Sequence, residues 1–302
     1  MPLKDWLAAL AVIVAWGVNF VVIKIGLHEF PPFLLGALRF SLVAVAVLFV
    51  KRPAVSWKML TMYGLTLSLG QFAFLFTAMK VGMPAGLSSL VLQSQAFFTV
   101  LIAALFLGEG LRRHHVLGMA VAVAGLVLIQ YGAEASAIPL LGFVLTLCAA
   151  LSWACGNIVV KQIGKVDMVG LVIWGALIPP VPFLILSWFF EGPEQIRQSL
   201  AHATFVGVGA LVYLALVATT MGYVLWGRLL TRHPVSKVAP LSLLVPVVGL
   251  VAATVFIGER LAFVQWVGGA VVMVGLTVNV FGLQLLNRVN GWRRRGPRAK
   301  RC

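Results

Sequence analysis

Polar and aromatic residues inside long apolar segments are the candidates for chemistry in this sequence. Trp16 and Asn19 lie in the first such segment, and Trp153 and Asn157 lie in a later one at nearly the same spacing. An uncompensated polar group in hydrocarbon is costly and is usually turned inward, so we expect these four side chains to line a cavity that holds a small solute. The alternative is that they only join helices through hydrogen bonds, at about 1 kcal/mol each.

Uncharged amides form the densest polar cluster within the apolar segments. Gln71 and Gln95 offer both hydrogen-bond donors and acceptors, so they could meet either end of a zwitterion. Gln93 and Gln95 are two residues apart and cannot share one face of an α-helix. We therefore expect at most one of them to face a cavity, and we favour Gln95.

Arg39 and Trp174 complete the set of candidate substrate-binding residues. Arg39 is the only charge well inside an apolar segment, and a buried arginine must be paired or must face water. It could receive a substrate carboxylate through bidentate hydrogen bonds, or it could cap carbonyl groups of a neighbouring helix. Trp174 and Tyr213 also lie deep, where an aromatic face could hold a substrate ammonium, whereas Tyr223 and Trp226 fit the aromatic belt at a membrane interface.

The acidic residues all fall in loops or at the ends of apolar segments: Asp5, Glu29, Glu109, Glu134, Asp167, Glu191, Glu194 and Glu259. A carboxylate relay for protons or sodium is therefore not expected, although proton coupling is left open. Glu109 and Glu259 each follow a glycine at matching positions, which predicts a structural turn. The histidines are scattered without metal-ligand spacing, and no hydrolase or metalloprotease signature lies in an apolar segment, so we expect no metal, no cofactor and no enzymatic activity.

Membrane-spanning helices are the elements that must position these residues. The chain has 302 residues, of which 61% are hydrophobic and 10% charged, and this is too apolar for a soluble globule. Because a crossing needs about 20 mostly apolar residues, and because barrel strands would alternate instead, the sequence predicts an all-α membrane protein. Ten spans are expected, at 6–26, 33–50, 59–79, 84–107, 116–132, 139–160, 168–190, 204–226, 235–257 and 263–285.

Two halves of the sequence resemble each other. Residues 84–111 align with residues 234–261, matching Glu109 to Glu259, and a shorter match relates Lys24 to Lys161. Five predicted spans lie in each half, and two copies of an odd-span unit must enter the membrane from opposite sides, as in many secondary transporters. We expect a first repeat at 1–135, a second at 136–286 and a basic cytoplasmic tail at 287–302.

Charge and proline positions refine this arrangement. The net charge of +15 is concentrated on one side of the predicted spans, so the positive-inside rule places both termini in the cytoplasm and gives no reason to expect a nucleic-acid partner. Lys24 and Lys161 are expected to reach toward opposite membrane faces. The fourth span begins at Pro84 and the ninth contains Pro240 and Pro246, so both helices should be kinked or locally broken.

Five segments carry a family resemblance: AWGVNFVVIKIGL (15–27), ALRF (37–40), PAGLSSLVLQSQAFFTVLIAALFLGE (84–109), LSWACGNIVVKQI (151–163) and VAPLSLLVPVVGL (238–250). They resemble the EamA family of the drug/metabolite transporter superfamily. The resemblance implies ten helices in two inverted halves, alternating access, and export of small amino-acid metabolites of the cysteine and O-acetylserine type across a bacterial inner membrane. A broader drug or aromatic amino-acid exporter is the alternative, and a membrane sensor that transports nothing is a weaker one.

Overall fold

The computed structural model describes residues 1–131 and 138–294, and this part of the chain is helical without any strand. Nine of its helices are long and apolar enough to cross a membrane, and Leu241–Ile257 is a shorter apolar helix. The chain is therefore a multi-pass membrane protein. The ten helices are α1 (Leu3–Glu29), α2 (Pro32–Phe49), α3 (Trp57–Lys80), α4 (Ala85–Phe106), α5 (Arg113–Gln130), α6 (Leu140–Ile163), α7 (Met168–Phe190), α8 (Phe205–Arg232), α9 (Leu241–Ile257) and α10 (Phe263–Gly282).

Each predicted span overlaps one of these helices, and a short additional helix, Pro193–Ala201, lies between α7 and α8. The number of membrane crossings, the inverted repeat and the location of the termini stay predictions. Helix α10 continues beyond its apolar part to Arg294, so the first half of the predicted tail at 287–302 is helical. Glu134 and residues 295–302 lie outside the described part of the chain.

The turns at Glu109 and Glu259 are confirmed by the backbone. Gly108 and Gly258 have φ values of +66° and +64°, a left-handed conformation that favours glycine. The N–H groups of Glu109 and Glu259 then donate to carbonyl oxygens six residues earlier, at 3.3 and 3.2 Å. A left-handed glycine after the last helical turn is a common helix end, and it stops α4 and α9 at matching positions.

Four helical segments change their winding near the middle of the bundle. In α4 the chain tightens to a 3₁₀ turn at Leu92–Ser94, and a 3₁₀ segment at Ala239–Leu243 leads into α9, which confirms that these two helices are locally interrupted. In α3 and α8 the chain widens to π-helix at Gly64–Gly70 and Tyr213–Met221. These π segments were not predicted, and such segments frequently mark functional sites.

Small residues let the helices approach closely. A Cβ atom at Gly17 of α1 would lie 2.5 Å from a methyl group of Val248 in α9, and one at Gly125 of α5 would lie 2.7 Å from the Gly268 carbonyl oxygen of α10. Contacts this short leave room only for glycine, as is common between membrane helices. Helix α1 is thereby fixed near the centre of the bundle, where it carries Trp16 and Asn19.

Candidate functional site

A cavity of about 390 Å³ lies between α1, α2, α3, α4, α6, α8 and α9, and the start of α7 also contributes to its wall. This volume is within the range of small-molecule sites, about 300–1,000 Å³. Seven of the eight candidate residues line the cavity, namely Trp16, Asn19, Arg39, Gln71, Gln95, Trp153 and Asn157. None of the acidic residues in the described part of the chain lies in its wall.

Trp174 lies outside the lining of this cavity. Its indole Nε1 donates a hydrogen bond to the Val50 carbonyl at 2.9 Å, and its ring packs edge-on against Trp57. Tyr213 also lies elsewhere, because its hydroxyl donates to the Ala15 carbonyl at 3.0 Å. Both aromatic side chains join neighbouring segments through these hydrogen bonds. Trp174 does not line the cavity, so the expectation that it would do so is wrong.

Arg39 enters the cavity wall from α2 and is 2% exposed. Its Nε and Nη2 atoms both donate to the Thr219 hydroxyl, at 3.2 and 2.9 Å. The face of the guanidinium lies over the Phe72 ring, 4.1 Å from its centre, which is a cation–π contact. These contacts replace the predicted capping of helix carbonyls and hold the guanidinium in one orientation.

The π segment of α8 explains why Thr219 is available to Arg39. The Thr219 hydroxyl donates to the carbonyl of Leu214, five residues earlier, at 2.8 Å. This bond satisfies a backbone carbonyl where α-helical bonding is interrupted, and it leaves the hydroxyl oxygen free to accept from arginine. In the same way, the hydroxyl of Ser152 in α6 donates to the carbonyl of Thr66, which lies in the π segment of α3, at 2.8 Å.

The amide residues divide into paired and unpaired groups. The Asn157 side chain donates to Gln95 Oε1 at 2.7 Å and to the Thr99 hydroxyl at 3.1 Å, which joins α6 to α4. Asn19 Oδ1 and Gln71 Oε1 are buried and have no hydrogen-bond partner within the described chain. The cavity wall therefore includes two amide side chains whose oxygens have no donor in the described part of the chain.

Gln93 and Gln95 both line the cavity, so the expectation that only one of them would do so is wrong. The expectation assumed an α-helix, in which residues two apart point in different directions. The 3₁₀ turn at Leu92–Ser94 changes the rotation per residue immediately before Gln95. Local winding, rather than residue type, brings both amides to the wall.

Tyr223 and Trp226 were assigned to an interfacial belt, yet they line the cavity beside Trp16. Their ring centres lie 5.5 and 5.3 Å from that of Trp16. The indole Nε1 of Trp16 donates to the Ala218 carbonyl in the π segment of α8 at 2.9 Å. Tyr223 and Trp226 are near the end of a span, so sequence position gave no signal that they turn inward.

Two lysine–glutamate ion pairs lie at opposite ends of the helices that surround the cavity. At the Lys24 end, the Lys24 ammonium is 3.1 Å from Glu259, and these side chains are 30% and 11% exposed. Glu259 also accepts the N–H groups of Ala85 and Gly86, at 2.7 and 3.0 Å. This carboxylate thus binds the first turn of α4 and joins it to α1 and α9.

At the Lys161 end, Lys161 is paired with Glu109, and each side chain is 50% exposed. The cavity reaches toward this end, because its wall includes Val160 and Met168. Asp5 additionally pairs with Arg232 and His233 there, which joins the start of α1 to the end of α8. Lys24 and Lys161 therefore do more than extend toward the membrane faces, since each forms an ion pair with a glutamate from the other half of the chain.

A family model described as the EamA-like transporter family matches residues 4–131 and 140–281. A "Probable amino-acid metabolite efflux pump" of Salmonella typhimurium is 52% identical over 299 residues, which is 96% of this chain and 100% of that protein. A protein of the same description from Escherichia coli K12 is 50% identical over 290 residues, covering 94% and 97% of the two chains.

A solved structure described as "Crystal structure of protein" has a TM-score of 0.63 to this chain and 20% sequence identity, and covers 91% of this chain and 95% of its own. At this identity the similarity is one of fold. This comparison therefore shows that a solved structure has a similar fold. The assignment to a family rests on the sequence comparisons.

Proposed function

This chain belongs to the EamA-like transporter family, and from that premise we propose that it is a secondary-active exporter of small amino-acid metabolites. The expected substrates are of the cysteine and O-acetylserine type, and the expected location is a bacterial inner membrane with both chain termini in the cytoplasm. The names of the Salmonella and Escherichia coli relatives support the outward transport of amino-acid metabolites.

The cavity is the observation that carries the proposal. It combines unpaired amide oxygens, an arginine and several aromatic rings from both halves of the sequence, and transporters of inverted-repeat design bind substrate between their two halves. Its volume of about 390 Å³ suits a molecule of amino-acid size.

Alternating access provides the mechanism. The cavity wall reaches toward the Lys161 end, while the Lys24 end is held by Glu259 and its contacts with α1 and α4. Rocking of the two halves would release the Lys24 end, close the Lys161 end, and carry the bound solute across. Proton coupling is left open by this scheme.

Counterflow in proteoliposomes tests the proposal. Vesicles loaded with unlabelled cysteine or O-acetylserine should accumulate the labelled compound transiently, and Asn19→Ala should reduce that accumulation because it removes an unpaired acceptor from the cavity. Thr277→Ala is a suitable control, since Thr277 is exposed in α10 and its hydroxyl only bonds its own helix. Folded protein that gives no counterflow with any amino-acid metabolite would refute the proposal.

A broader drug or aromatic amino-acid exporter is the second candidate. The aromatic group of Trp16, Tyr223 and Trp226 favours it, because clustered aromatic rings offer a broad apolar surface to flat solutes. Competition separates the two candidates: phenylalanine or a planar aromatic cation that displaces labelled cysteine at lower concentration than O-acetylserine would favour the broader exporter.

A further inference from the structure

Three buried polar atoms of the cavity wall have no hydrogen-bond partner within the described chain: Arg39 Nη1, Asn19 Oδ1 and Gln71 Oε1. Their residues are 2%, 8% and 4% exposed. Buried polar groups are nearly always satisfied, so three unpaired atoms on residues of one cavity wall are the candidates for completion by a ligand, whereas unpaired atoms such as Asn279 Oδ1 lie away from this cavity. One of the three is a donor on a cation, and the other two are neutral acceptors.

We propose that this cavity recognises the main-chain zwitterion of an α-amino acid. Arg39 receives the carboxylate, and the side-chain oxygens of Asn19 and Gln71 receive the ammonium. The inference rests on the proposed function and names the groups by which the substrate is selected: a free α-carboxylate together with a free α-ammonium, whatever the side chain.

The carboxylate half follows from the geometry of Arg39. Thr219 occupies Nε and one hydrogen of Nη2, and Phe72 covers one face of the guanidinium. The edge formed by Nη1 and the second hydrogen of Nη2 is therefore the free part of a rigid fork, and that edge matches the two oxygens of a carboxylate. Since no acidic residue of the described chain lines the cavity, the ligand supplies the counter-charge.

The ammonium half follows from the kind of acceptor present. Asn19 and Gln71 present neutral oxygens, and an ammonium group carries three donors that such oxygens can accept. With neutral acceptors, the charge of Arg39 is not compensated by the protein. A cationic amine that lacks a carboxylate would be repelled by this uncompensated charge. The cavity therefore disfavours such amines and favours the zwitterion.

Side-chain selectivity should be weak by comparison. Trp16, Tyr223 and Trp226 supply broad apolar surface to the cavity. Small differences in an apolar or weakly polar substrate side chain change binding to such surfaces only modestly, whereas loss of a partner for a buried polar group is heavily penalised. The main-chain groups therefore dominate recognition.

Competition against labelled cysteine in wild-type proteoliposomes tests the inference without any substitution. At about pH 6, where an α-amine is protonated, cysteine amide lacks the carboxylate and N-acetylcysteine lacks the ammonium. Each should compete at least about tenfold more weakly than cysteine, as expected for loss of a hydrogen bond to a charged group.

Each analogue tests one half of the zwitterion site. Cysteine amide that competes within about threefold of cysteine would overturn the role of Arg39, and N-acetylcysteine that does so would overturn the role of Asn19 and Gln71. Absence of counterflow with every amino-acid metabolite would instead be a failure of the proposed function. The results of the two tests are therefore distinguishable.

Substitution of Arg39 adds a second measurement. Arg39→Gln should remove the preference for cysteine over cysteine amide, because the fork that reads the carboxylate is gone, while Arg39→Lys should retain part of it through its charge. Thr277→Ala should keep the full preference, since Thr277 lies outside the cavity. An unchanged preference in folded Arg39→Gln would contradict the inference, and if that variant does not fold, the wild-type competition decides.

Discussion

The two ends of the cavity carry the same pair of residue types in different surroundings. Glu259 binds Lys24 and two backbone N–H groups of α4, and it is 11% exposed. Glu109 pairs with Lys161, and both side chains are half exposed. Because Glu109 aligns with Glu259 and Lys24 with Lys161 in the sequence, equal residues here have unequal exposure.

This difference indicates which end of the protein is held closed. A largely buried carboxylate that bonds a cation and the start of a helix restrains three helices, whereas an exposed ion pair contributes little. Under the proposed alternating access, the structure represents the state in which the Lys24 end is shut. In the opposite state of the transport cycle, the Lys161 end would be closed and the Lys24 end would be open.

Glu259→Gln should have the largest effect on the difference between the two ends. The substitution leaves Lys24 without its counter-ion and places an amide donor among the N–H groups of α4. A loss of about 2 kcal/mol is expected, roughly thirtyfold in the ratio of closed to open states. A cysteine introduced by Leu75→Cys in the cavity wall, in a background without native cysteines, should then react faster with an impermeant maleimide from the Lys24 side.

The matched control is the same reporter in the wild-type background, labelled from both membrane faces. Reaction from the Lys161 side should become slower as reaction from the Lys24 side becomes faster, since one cavity serves both ends. Equal labelling rates in the two proteins would mean that Glu259 does not hold the Lys24 end.

Gly249→Ala should have an intermediate effect. A Cβ atom there would lie 2.6 Å from the Ser89 hydroxyl, so α9 must move away from α4, whose first turn binds Glu259. Overpacking costs about 1–3 kcal/mol, partly offset by about 1 kcal/mol from the better helix propensity of alanine. Thermal unfolding in detergent should show a lower midpoint. Gly209→Ala in α8, where a Cβ meets nothing within 4 Å, should leave the midpoint equal or higher, and a lower midpoint there too would remove the link to packing.

Glu109→Gln should have the smallest effect. Exposed ion pairs contribute about 0–1 kcal/mol, so the labelling ratio of the Leu75→Cys reporter should change less than about fivefold in this state. High salt should imitate the substitution, because exposed charges are screened. An effect as large as that of Glu259→Gln would show that the two ends are energetically alike, despite their different contacts.

Much of the fold could be predicted because it depends on local composition. Long apolar segments bounded by charges locate the helices, and the glycines before Glu109 and Glu259 locate two helix ends. The depth of Asn19, Gln71 and Arg39 within their segments was enough to place them at a cavity, since polar groups in hydrocarbon turn inward.

The remaining features depend on contacts between distant segments. The π segment that contains Thr219 has no sequence pattern that predicts it, and Thr219 bonds Arg39, which lies 180 positions away in the chain. Sequence position placed Trp174 deep and Trp226 at an interface, but Trp174 bonds a carbonyl at the end of α2 and Trp226 lines the cavity. The Lys24–Glu259 pair joins residues 235 positions apart, which a pattern in one segment cannot reveal.

Substrate-dependent labelling is the decisive experiment for the transport mechanism, in which an amino-acid metabolite is carried by a cavity that opens at one end at a time. The Leu75→Cys reporter should react faster with impermeant maleimide from the Lys24 side when O-acetylserine is supplied at the Lys161 side. O-acetylserine amide should have no such effect. A labelling rate that O-acetylserine leaves unchanged, in protein that binds it, would contradict this mechanism.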